Sequence, residues 1–153
     1  MKRRNLIAAV LVAGALPLQA QTLPLVEVWK DPNCGCCKDW IRHLEANGFR
    51  VKAHDQGNTA ARKRVGLPDA LGSCHTAVVS TYVIEGHVPA EAIEKMLTEL
   101  PAIMGIAVPE MPTGSPGMEI PGFKPEPFKV MSFANGGEQR VFLDFPEGYR
   151  RKL

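Results

Sequence analysis

The chain has no apolar run long enough to cross a membrane, no basic patch, no internal repeat, and only four cysteines and four histidines. Its longest apolar stretch, Leu6 to Leu18, is broken by Gly14 and Pro17, and a membrane span needs about 20 residues. With Lys2, Arg3 and Arg4 ahead of it and Leu18-Gln19-Ala20 behind, it reads as a secretory signal peptide, residues 1–20, cleaved after Ala20. No cysteine lies at its end, which argues against a lipid anchor. Arg3-Arg4 ahead of Leu6 faintly matches a twin-arginine signal, and an uncleaved anchor is the other alternative. The net charge of +2 belongs to the whole chain. Residues 21–153 carry 15 basic against 16 acidic residues, a net −1, so nothing points to nucleic acid or an anionic membrane surface as partner. No Ser/His/Asp arrangement, paired-carboxylate site or phosphate-binding loop stands out. The segment 21–153 suits one domain with one core.

What is present is a concentration of sulfur. Asn33-Cys34-Gly35-Cys36-Cys37-Lys38 packs three of the four cysteines into four residues, directly after the apolar run Leu25-Val26-Glu27-Val28-Trp29. Leu25 to Lys30 predicts a buried strand, and Asp31-Pro32-Asn33 breaks it. A helix follows from about Cys36 to Asn47, ended by Gly48. Cys37, Trp40, Ile41 and Leu44 share its apolar face. Phe49 to Ala53 predicts a second strand, and Thr59 to Val65 a short helix. A loop from Asp69 to His75 carries Cys74. Thr76 to Val79 and Tyr82 to Ile84 predict a hairpin or bent ribbon. Pro89 opens a helix to about Leu100, with Ile93, Met96, Leu97 and Leu100 on its buried face. This order predicts an α/β sheet domain. A first strand running into a helix with thiols between them resembles the thioredoxin fold.

Residues 101–128 alternate proline with glycine and predict a long loop, often a lid or binding loop. It carries Met104, Met111 and Met118. Phe128 to Phe133 and Arg140 to Phe145, joined by Asn135-Gly136-Gly137, predict a C-terminal β-hairpin.

A thiol at a helix N-terminus meets the positive end of the helix dipole and unpaired N–H groups, which favour thiolate. Three chemistries compete for these cysteines. Cys34 and Cys37 have the spacing of a nucleophile and its resolving partner in thiol–disulfide exchange. An oxidising compartment also allows plain structural disulfides, for which the crowding is unusual. Cys36 is superfluous for exchange, however, and three thiolates in four residues plus Cys74 make a soft-metal site that favours Cu(I) and also suits Zn(II) and Fe–S clusters. Thioredoxin-like redox proteins place a cis-proline opposite the C-x-x-C; here Ser73-Cys74-His75-Thr76 precedes the third strand. His75 is expected in the proline position, with Cys74 pointing at the other cysteines.

The segment resembles the CopG-type family of exported copper-resistance proteins. The resemblance rests on Trp29-Lys30-Asp31-Pro32 leading into Cys34-Gly35-Cys36-Cys37-Lys38, and on Ser73-Cys74-His75-Thr76. It rests also on Glu85-Gly86-His87-Val88-Pro89-Ala90, and on Gly105-Ile106-Ala107-Val108-Pro109 with Gly114-Ser115-Pro116-Gly117-Met118-Glu119. It implies a thioredoxin-like fold, a cysteine-bridged copper cluster with Cys34, Cys36, Cys37 and Cys74 as thiolate ligands, and a role in copper tolerance that includes Cu(I)/Cu(II) cycling. Such cycling need not make the protein an enzyme. His75 and His87 are candidate additional ligands, and Met118 and Met111 are candidate thioether donors from the Pro/Gly loop. The expected cargo is Cu(I), more than one ion per chain, exchanged in the periplasm with copper chaperones or efflux components. His43 is expected at the surface, Met96 in the helix core, and Trp29 and Trp40 in the core without a stacking role. His54 ends a strand with no role assigned.

Overall fold

A computed structural model describes residues 23–150. The expected signal peptide lies outside these residues. Strand β1, Leu25–Lys30, alternates so that Val26, Val28 and Lys30 are buried while Glu27 and Trp29 are half-exposed on the opposite face. The chain turns at Asp31, whose Oδ1 accepts the Asn33 N–H at 2.8 Å, an Asx turn that ends the strand. Helix α1, Gly35–Ala46, starts on Cys34, whose sulfur accepts the Cys37 N–H at 3.3 Å and so caps the helix. It ends where Gly48 takes φ +87°.

Strand β2, Arg50–His54, runs parallel to β1. Helix α2, Thr59–Arg64, and a single 3₁₀ turn, Asp69–Leu71, lead to β3, His75–Val79, which is antiparallel to β1. Strand β4, Tyr82–Glu85, folds back on β3, and helix α3, Ala90–Glu99, follows. Three further strands complete one mixed sheet: β5, Gly105–Ala107, β6, Phe128–Phe133, and β7, Gln139–Phe145. The strand order is β2-β1-β3-β4-β5-β6-β7.

Core lies on both faces of the sheet. On one face Val26, Val28, Ala77, Val79, Ile84 and Ile106 meet Trp40 and Leu44 of α1 and Ile93 and Met96 of α3. On the other face Leu67, Leu71, Val83, Ala107 and Phe133 form a smaller cluster. Full burial of an aliphatic or Met side chain is worth about 1.5–3 kcal/mol, so α1 and α3 are held chiefly by these apolar faces.

Four expectations change. Strand β5 falls inside the stretch read as loop. It is only three residues long, too short for a periodicity signal, and it exists because Gly105 lets two backbones touch: a Cβ there would sit 2.0 Å from the Val83 carbonyl oxygen. Between β5 and β6, residues 108–127 contain neither helix nor strand. Leu100 is not on the buried face of α3; it takes φ +48° as the helix ends and is 68% exposed. His43 is buried rather than at the surface, because Nε2 accepts the Ala90 N–H at 3.0 Å and so ties α1 to the start of α3. Trp29 is half-exposed and stacks on His54 at 4.8 Å, with the Arg64 guanidinium 4.9 Å above its ring. Its position on the solvent-facing side of an edge-proximal strand excludes it from the core. Trp40 and Met96 are fully buried, as expected.

Candidate metal centre

The antiparallel pairing of β1 with β3 sets the site. Lys30, the last residue of β1, lies opposite His75, the first of β3. The Cys34 loop that leaves β1 and the Cys74 loop that enters β3 therefore meet at one end of the sheet. The β3–β4 hairpin returns the chain to the same end: the Gly86 N–H donates to the His75 carbonyl at 3.0 Å. That places His87 over Cys74.

All four sulfurs lie within 4.8 Å of one another. Cys34 and Cys37 are joined in a disulfide, while Cys36 and Cys74 are free thiols. Cys36 Sγ is 3.5 Å from Cys34 Sγ and 3.9 Å from Cys74 Sγ. Cys74 Sγ is also 3.3 Å from His75 Nδ1 and 3.1 Å from His87 Nε2. Cys74 thus belongs to two overlapping donor groups, one of four cysteines and one of Cys74, His75 and His87.

His87 has a defined tautomer. A carbonyl only accepts, so Nδ1–H donates to the Pro116 oxygen at 2.8 Å. Nε2 is left with its lone pair toward Cys74, the arrangement that orients a ligating imidazole. His75 packs its ring against Trp40, with centroids 4.3 Å apart. Its Nε2 is buried and has no hydrogen-bond partner among the described residues, which costs about 1–3 kcal/mol unless something else satisfies it.

Burial sets the charge state. It pushes the Cys74 thiol up to about 12, with the neighbouring Cys36 adding to the rise. It pushes His75 well below the ordinary imidazole value, with His87 adding to the effect, and lowers His87 as well. The pocket therefore rests as neutral thiol and neutral imidazole. A soft cation binding there would displace thiol protons.

The Cys74 loop is clamped from beneath by groups that sequence reasoning missed. Glu85 is fully buried. Its Oε1 accepts the Ser73 N–H at 2.7 Å and an Arg62 N–H at 3.1 Å; its Oε2 accepts the Thr76 hydroxyl at 2.6 Å. Burial raises its carboxyl above the usual range even so. Arg62 and Asn58 both donate to the Ser73 carbonyl. Lys30 is buried too, bonding to Asp55 Oδ1 at 2.5 Å and to the Asp31 carbonyl at 3.2 Å. The available signals were an acidic residue inside a β-rich run and a lysine closing an apolar strand.

Cys34, Cys36, Cys37, Cys74, His75 and His87 thus converge, and the loop that carries the two methionines packs beside them. Gly117 packs so closely on α1 that a Cβ would come within 2.7 Å of the Cys36 carbonyl oxygen. The half-buried Met118 comes next in the chain. Met111 is 49% exposed and lines a surface depression with Arg62, Ser73, Cys74 and Glu110.

Fold and site define a mixed α/β protein with a buried-edge cysteine–histidine cluster that could hold metal. A family model described as a protein of unknown function, DUF411, matches residues 71–118. No curated protein matches the chain. Two solved structures do, both with 46% sequence identity and both covering 81% of this chain. The copper resistance protein copG, form 1, is covered over 98% of its length with a TM-score of 0.75; form 2 is covered over 99% with a TM-score of 0.76. The chain belongs to the CopG family of copper resistance proteins.

Proposed function

We propose that the protein binds Cu(I) through a multinuclear thiolate site in copper resistance. The observation that carries this reading is the convergence of four sulfurs within 4.8 Å of one another, with Cys74 shared by a second group containing His75 and His87. Four thiolates around one ion would be saturated; a sulfur common to two donor groups is suited to bridging ions. Soft sulfur with imidazole is the donor set that favours Cu(I). The His75 nitrogen beside Cys74 is Nδ1, at 3.3 Å from the sulfur, which fits a site that a cation completes. Met118 and Met111 would act as thioether donors or as entry contacts at the rim.

We read the unit from β1 to α3 as thioredoxin-like, with His75 in the position where redox members carry proline. Residues 1–20 would direct export and be removed, leaving 21–153 to work in the periplasm, with copper chaperones or efflux components as exchange partners. Among the described residues no helix is long and apolar enough to cross a membrane.

A second reading has its own support. The Cys34–Cys37 disulfide at the start of α1 is the oxidised form expected of a thiol–disulfide oxidoreductase. Anaerobic Cu(I) titration of the reduced protein against a chromophoric chelator separates the two. More than one copper per chain, falling when Cys36 is replaced by Ser, is the expected result. Failure to compete for a single copper with four thiols titrated beforehand would overturn the copper reading in favour of exchange.

A further inference from the structure

We propose that the cluster carries an internal disulfide relay, in which the Cys34–Cys37 bond migrates to Cys36–Cys74 without any external oxidant or reductant. The relay needs no metal and stands apart from the copper reading. It also gives Cys36 a role that simple Cys34/Cys37 exchange leaves empty.

The sulfurs are ranked for such transfer. Cys36 is a free thiol 3.5 Å from Cys34, one partner of the disulfide. Cys74 is a free thiol 3.9 Å from Cys36. Disulfides exchange by thiolate attack on one sulfur of the bond. Attack on Cys34 creates a Cys-Gly-Cys ring, whereas attack on Cys37 would join adjacent residues, so Cys34 is the preferred target. Gly35, between the two cysteines, has no heavy atom within 4 Å of where its Cβ would be.

In the first step Cys36 loses its proton and its sulfur bonds to Cys34. The Cys34–Cys37 bond breaks, its electron pair goes to Cys37, and Cys37 takes up the proton. In the second step the Cys74 sulfur bonds to Cys36, and the Cys34–Cys36 bond breaks with its electron pair on Cys34. The Cys74 proton is lost to solvent, and Cys34 takes one up from solvent. One disulfide and two thiols enter, and one disulfide and two thiols leave. The product frees the Cys34/Cys37 dithiol at the helix start and stores the oxidation in a bond between two loops.

The relay is tested on the metal-free chain. The form with Cys34–Cys37 closed is isolated at about pH 3, where thiolate is scarce, then moved to about pH 8. Samples are acid-quenched, alkylated and digested with trypsin. Cleavage after Lys30, Lys38, Arg64 and Lys95 puts Cys34, Cys36 and Cys37 in one peptide and Cys74 in another. The original disulfide links nothing, whereas Cys36–Cys74 joins peptides 31–38 and 65–95. The linked pair is expected to grow with time, fragmentation assigning it to Cys36. Wild-type protein that never yields it would overturn the relay, with no variant required to fold. The variant Cys36→Ser is expected to abolish rapid linking; linking at the wild-type rate through Cys34 or Cys37 would overturn the route.

Discussion

At the scale of the residue, burial rather than charge pairing governs the site. Burial holds His75 and His87 below the ordinary imidazole value of 6.5. The unfolded chain therefore takes up protons at these rings before the folded chain does. Stability from the neutral rings is fully present above about pH 6.5 and is lost as pH falls below it, by up to about 1.4 kcal/mol per pH unit for each ring. Glu85 works in the opposite sense. Its carboxyl is raised by burial, so its contribution is present at low pH and lost as pH rises through its folded value. Denaturant midpoints of the metal-free protein should fall from pH 6.5 to pH 5. A His75→Gln/His87→Gln double variant should show a flatter profile, since Glu85 is common to both proteins. Parallel profiles would rule the rings out as the origin.

Trp40 joins core and site in one side chain. It is fully buried, packs on His75, and donates from Nε1 to the Val88 carbonyl at 2.8 Å. Replacing it with Phe keeps most of the apolar contact and strands the carbonyl, so Trp40→Phe should cost about 2 kcal/mol in chemical denaturation. A loss under 0.5 kcal/mol, the range of surface substitutions, would mean that the bond adds nothing.

At the scale of the element, the sheet decides what meets what. Strands β1 and β3 are antiparallel and β3 and β4 form a hairpin, so three loops converge on one end. The edge extension through β5 depends on a single missing side chain. Gly105→Ala would drive a Cβ to 2.0 Å from the Val83 oxygen, and β4 and β5 would have to separate. A destabilisation of at least about 2 kcal/mol is expected. Hydrogen exchange should localise it to Val83 and Val108, whose N–H groups bond across this junction. Uniform loss of protection would argue against a local break.

At the scale of the whole molecule, the proposed ligand set ties metal capacity to oxidation state. With Cys34–Cys37 closed, two of the four proposed thiolate ligands are withdrawn. Copper stoichiometry is expected to fall on oxidation and to recover on reduction. Saturating Cu(I) at about 100 times its Kd should stabilise the reduced protein by about 2.7 kcal/mol for each independent site, with a smaller rise in Tm for the oxidised protein. Equal stoichiometry in the two states, measured by metal analysis beside thiol titration, would disconnect the disulfide from the site.

What the sequence determined by itself was local. The break at Asp31-Pro32-Asn33 and the apolar face carrying Cys37, Trp40 and Leu44 both lie within a few residues of the features that specify them. The start of α1 and its three thiols were legible for that reason. The β6–β7 hairpin was legible through Asn135-Gly136-Gly137. Tertiary structure alone decided that Pro116 fixes the tautomer of His87, and that Glu85 and Arg62 hold the Cys74 loop. It also decided that His43 is buried. Each of these depends on strand register and on how a long irregular segment packs. The free energy that selects them comes from burying both faces of the sheet at once, a quantity that no local window of the chain contains.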